Sequence, residues 1–116
     1  MKDYAAIANE YHAGYGQLAK EIPATTKAFS ELVTNATQDA VLSKKTKELI
    51  AFAIAITVRC DGCIASHAKA VCNAGASRQE VAKMIGVAVL MGGGPSTVYG
   101  AEALRAFDQF ASLKSA

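Results

Sequence analysis

The sequence predicts an all-α fold, a compact bundle of about six helices. Three observations carry that expectation: apolar residues recur at intervals of three and four along most of the chain, capping and stop signals divide it into segments, and no stretch alternates apolar with polar residues for the length of a strand. The apolar positions Tyr4, Ile7, Ala8, Tyr11, Tyr15, Leu18 and Ile22 outline one face of a first helix. Pro23 suits the first turn of a second, because the N–H it lacks would be unpaired there anyway. Phe29, Leu32, Val33 and Ala36 line one side of that helix, and Thr34 to Ser43 reads as polar and turn-like.

Ser43 is a suitable N-cap for a third helix from Lys44 to Val58. Lys44, Lys45 and Lys47 make a solvated start, after which the segment is apolar on every side, as in a helix surrounded by partners. Ala51, Ala53 and Ala55 permit close approach. A break near Arg59 leads into a fourth helix, Cys60 to Ala74, with Gly75 placed to stop it in a left-handed conformation. Ser77-Arg78-Gln79-Glu80 reads as a capping box that opens a fifth helix, with Val81, Met84, Ile85, Ala88 and Val89 on its apolar face. Gly92-Gly93-Gly94-Pro95 ends it, and Ala103, Leu104, Phe107, Phe110 and Ala111 mark a sixth.

A chain of 116 residues, 52 % apolar and 19 % charged, fits a single domain over residues 1–116 with one core and no compositional case for disorder. The formal net charge is only +2, and its cations are dispersed, so no nucleic-acid partner is expected. The longest nearly unbroken apolar run, Leu49 to Val58, is far short of the roughly 20 residues that a membrane span needs. The residues after Met1 lack the apolar core of a secretory signal, which points to the cytoplasm. Two helices apolar nearly all round are hard to cover with so short a chain, and a homo-oligomer is therefore expected.

Of the three cysteines, two form a Cys-x-x-Cys, a pattern that in a reducing compartment indicates redox or metal chemistry. At the start of a helix, Cys60 and Cys63 share a face with their Cβ atoms about 5–6 Å apart, close enough to form a disulfide after a small adjustment. Unpaired N–H groups and the helix dipole favour thiolate there. His67, four residues after Cys63, lies one turn further along the same face, where an imidazole can exchange protons with a thiol. If the third and fourth helices fold back antiparallel, Glu48 comes level with His67 before it reaches either cysteine, which suits it to orient and charge the imidazole. Helix geometry leaves open which cysteine attacks: Cys60 is nearer the helix end, Cys63 nearer the imidazole.

The pattern Glu48, eleven residues, Cys60-Asp61-Gly62-Cys63, three residues, His67 resembles the active-site motif of the alkylhydroperoxidase D-like branch of the carboxymuconolactone decarboxylase family. The likeness runs from about Leu42 to Phe110 and includes Asn73-Ala74-Gly75-Ala76-Ser77 and the Gly-Gly-Gly-Pro break. Gly62 stands where a histidine often precedes the second cysteine, and the chain is shorter than the two-repeat members. The resemblance implies an all-α, obligately oligomeric protein, with trimers and hexamers the states in view. It further implies alkylhydroperoxidase activity of a peroxiredoxin type, in which Cys63 attacks the peroxide, Cys60 resolves, and Glu48 and His67 move the proton. The implied partners are a small-molecule peroxide and a thiol or dithiol electron donor, of which a lipoyl-bearing or thioredoxin-like protein is an example. No bound cofactor is required.

Other readings of these residues are a zinc half-site in a redox-sensing or zinc-stabilised interaction protein, which lacks a second ligand pair, and a lactone decarboxylase on the same fold, which has no need of a cysteine pair. Ile64 directly after Cys63 does not fit haem attachment, and no βαβ pattern supports a thioredoxin fold. Cys72, about half a turn round the helix from Cys63, reads as a small buried apolar residue. Tyr99 reads as core, although it follows the glycine break and could face the site. His12 reads as surface. The glycines at 92 to 94 lack the strand context and Lys-Ser/Thr of a phosphate loop.

Overall fold

The computed structural model describes residues 1–115. It has six helices and, among the described residues, no strand: α1 (Tyr4–Glu21), α2 (Pro23–Thr37), α3 (Lys44–Thr57), α4 (Asp61–Asn73), α5 (Arg78–Gly92) and α6 (Gly94–Ser115). Local chemistry places most of the boundaries. Asp3 caps α1 by accepting the Ala6 N–H, Ser43 caps α3 by accepting that of Thr46, and Pro23 opens α2. The Ser77 and Glu80 side chains complete a reciprocal capping box at α5.

The end of α2 differs from expectation. Thr34 and Thr37 remain helical, their hydroxyls donating to the carbonyls of Ser30 and Val33 one turn back, so the polar turn begins only after Thr37. The lysines at the start of α3 are also more than a solvated cluster. Lys45 pairs with Glu80 at 2.9 Å, joining α3 to α5, and the Lys47 amine donates to the Gln38 carbonyl at 2.8 Å.

Helix α4 lies among α1, α3 and α6 and carries the centre of the core. Ile64, Ala65, Ala68 and Val71 are fully buried, joined by Phe52 and Ile56 from α3, Val81 from α5, Ala103 and Ala106 from α6, and Tyr4 from α1. Burial of each large side chain in this set contributes about 1.5–3 kcal/mol, while the alanines let the helix axes approach. Gly100 serves the same end between α5 and α6, where an added Cβ would come within 2.7 Å of Ile85 Cγ2.

Helix α3 is not enclosed all round as its sequence suggests. Ile50, Ile54 and Val58 are exposed along one side, together with Phe29, Leu32 and Val33 of α2 and Val87, Leu90 and Met91 of α5. Helix α2 buries only Thr26, and the Tyr15 hydroxyl of α1 donates to the Thr26 carbonyl at 2.9 Å to hold the hairpin. No described helix is long and apolar enough to cross a membrane.

Candidate active site

The cysteine pair owes its position to the way α3 stops. The Arg59 N–H donates to the Ile56 carbonyl at 3.2 Å and the Cys60 N–H to that of Ala55 at 3.2 Å, the two bonds of a Schellman ending. This ending requires a left-handed residue, and Arg59 supplies it with φ 58°. The chain turns sharply, and Cys60 becomes the N-cap of α4, its sulfur accepting the Cys63 N–H at 3.1 Å. The same ending closes α4, with Gly75 in the left-handed place at φ 86°.

Cys60 and Cys63 are joined by a disulfide, with their Cα atoms 5.1 Å apart, and both residues are half-buried. A pair at a helix N-terminus receives N–H dipoles that favour anionic sulfur when the bond is reduced. His67 follows Cys63 by one turn of α4. Glu48, in the second turn of α3, packs across the antiparallel contact with its Oε2 3.6 Å from His67 Nδ1. The Glu48 side chain is 5 % exposed and that of His67 30 %, so the glutamate is largely buried while the imidazole ring reaches the surface. His67 Nδ1 is buried and has no hydrogen-bond partner among the described residues. The 3.6 Å gap is slightly longer than a hydrogen bond.

The structure therefore brings Glu48 level with His67, as the helix rise predicts, and keeps Cys60 and Cys63 on one turn. Cys72 is buried and unpaired with another sulfur, as a small core residue should be. Tyr99 packs partly against the core, with the Lys2 amine 5.7 Å from its ring centre. His12 is exposed on α1. Among the described residues no three of His, Cys, Asp and Glu come together as a metal-binding set.

One group of residues beside the pair gives no signal in the sequence. Asp61, the first residue of α4, accepts from the Lys2 amine at 3.0 and 3.1 Å, and the same amine lies 3.1 Å from Glu102 of α6. Tyr4 donates its hydroxyl to Glu102 at 2.9 Å, and its pKa is raised well above the usual phenol value by burial and by that carboxylate. These partners are far apart in sequence, so no local spacing could reveal them.

Comparison with known proteins gives the family of this fold. Residues 23–106 match the sequence model of the carboxymuconolactone decarboxylase family. The chain belongs to that family. Carboxymuconolactone decarboxylase family folds supply a close structural match: the crystal structure of an apo family protein from Legionella pneumophila superimposes with a TM-score of 0.91 at 42 % identity, covering 93 % of this chain and 96 % of that one. An uncharacterised protein of Cupriavidus necator is 36 % identical over 99 residues, 85 % of this chain and 88 % of the relative. A protein from the cox locus of Paracoccus denitrificans, also uncharacterised, is 31 % identical over 97 residues, 84 % of this chain and 87 % of its own length. The carboxymuconolactone decarboxylase family includes enzymes, both decarboxylases and alkylhydroperoxidase-like proteins.

Proposed function

We propose that this protein is a thiol-dependent alkylhydroperoxidase, able also to exchange disulfides with its electron donor. The observation that carries the reading is the Cys60–Cys63 disulfide on the opening turn of α4, with His67 one turn on and the buried Glu48 carboxylate 3.6 Å from its ring. In the reduced protein the Cys63 thiolate attacks a peroxide oxygen. An S–O bond forms, the O–O bond breaks, and the alkoxide leaves as alcohol with a proton delivered through His67. Cys60 then displaces water from the resulting sulfenic acid to form the disulfide. A thiol or dithiol donor, such as a lipoyl-bearing or thioredoxin-like protein, returns two electrons and two protons. Glu48 holds the imidazole and balances the charge it takes up.

The protein acts as a homo-oligomer in this reading. Apolar side chains of α2, α3 and α5 that its own helices leave open form the contact with further copies. Light scattering on the purified protein should give a mass of several chains.

The activity is tested by adding an alkyl hydroperoxide to reduced protein and counting peroxide and free thiols. One peroxide should be consumed for two thiols lost. Cys63→Ser should abolish the reaction and Cys72→Ala should leave it, whereas a full rate in the Cys63 variant would overturn the assignment. Mixing the oxidised protein with candidate dithiol donors and following the return of free thiol identifies the donor class.

A further inference from the structure

A carboxylate at the first position of a helix is stabilised by the dipole, but beside two thiols it opposes the charge they must acquire. Asp61 occupies that position, between Cys60 and Cys63 in sequence. Its two oxygens receive the Lys2 amine at 3.0 and 3.1 Å. This lysine is not a loose surface cation. Its amine also meets Glu102 at 3.1 Å, its carbonyl accepts from Gln109 Nε2 at 3.0 Å, and Gln109 Oε1 accepts the Tyr4 N–H at 2.8 Å. Tyr4, fully buried, returns to Glu102 through its hydroxyl. The segment before α1 is thus fastened to α6 by a closed circuit that sets one amine over the opening turn of α4.

We propose that Lys2 is a positioning residue and a built-in countercharge of the cysteine pair, which offsets the field of Asp61 and favours the thiolate. The other ionisable groups on α4 and the segments beside it include Glu48 on α3, His67 and Lys69 on α4 itself, Arg59 on the connection, Tyr4 on α1, and Tyr99 and Glu102 on α6. None of these takes the place of Lys2 at Asp61 among the described residues. Loss of the amine leaves two carboxylates beside the helix mouth and makes each thiol harder to ionise.

The inference rests on the thiol-redox reading of the pair, yet its measurement uses no peroxide. The reduced protein is alkylated with iodoacetamide across a pH series, and the products at Cys60 and Cys63 are read by peptide mass. In Lys2→Met the midpoint for alkylation should rise by about half to one pH unit, a size expected for one unit charge at close range in a partly solvated site. Lys2→Arg should restore it. Asp61→Asn should lower it below the parent value, and Lys2→Met with Asp61→Asn should fall between the single variants. Damage to the fold does not produce shifts of opposite sign, so this pattern separates field from structure. An unchanged midpoint in Lys2→Met, or a rise in Asp61→Asn, overturns the proposal. If the shifts appear but no hydroperoxide is consumed, the countercharge stands and the peroxidase reading falls.

Discussion

The carboxylate of Glu48 and the imidazole of His67 stand 3.6 Å apart across the contact between α3 and α4, the first largely buried and the second reaching the surface. A buried carboxylate is costly to keep without a partner, and the unfilled Nδ1 of His67 is the group it faces. Glu48→Gln keeps the shape and removes the charge. It should slow peroxide consumption by about tenfold or more while thermal unfolding shows an intact fold. Glu48→Asp, a methylene shorter, should lie between the two. A Gln variant at the parental rate would remove Glu48 from the mechanism.

Arg59 occupies a left-handed conformation that costs a residue with a Cβ about 1–2 kcal/mol. Arg59→Gly should raise stability by about 1 kcal/mol in denaturant titration, after the extra entropy glycine loses on folding. Arg59→Val should lower it, because a branched side chain is worse still at positive φ.

The capping box of α5 gives a prediction with a pH sign. The Glu80 carboxyl is held below the usual carboxylate range because it accepts the Ser77 N–H and pairs with Lys45. Its folded value lies below its unfolded value, so its contribution is fully present above the unfolded carboxylate value of about 4.3 and is lost as pH falls through the lower folded one. Glu80→Gln should flatten that part of the acid limb of stability. Ser77→Ala should cost about 1 kcal/mol at neutral pH.

Gly100 sets how closely α5 and α6 meet. Gly100→Ala drives a methyl against Ile85 Cγ2 and should cost about 1–2 kcal/mol despite the better helix propensity of alanine. Combined with Ile85→Ala, which removes the obstructing methyl, the loss should be smaller than the sum of the two single changes.

Much of this architecture is legible in the residues themselves. Ser43, Pro23, Gly75 and the Ser77–Glu80 pair each mark a boundary through local hydrogen bonds or one backbone dihedral, and the arithmetic of helix rise brings Glu48 to His67. What is not legible lies partly in backbone geometry that no residue type announces and partly in contacts made by the whole fold. Nothing near Arg59 announces a left-handed residue, since the usual glycine is missing and the ending shows only in bonds to Ala55 and Ile56. Thr34 and Thr37 look like turn residues until their hydroxyls are seen bonded back along the helix. Lys2, Asp61 and Glu102 meet only after the whole chain has closed.

Cys60 does two jobs with one atom, since its sulfur both joins the disulfide and caps the helix that presents it. Alanine at this position would strip the helix start along with the redox group, and an inactive variant would say little about which loss was to blame. Serine keeps an acceptor at the cap and removes the redox chemistry, so it is the substitution that can tell a broken scaffold from a missing reagent.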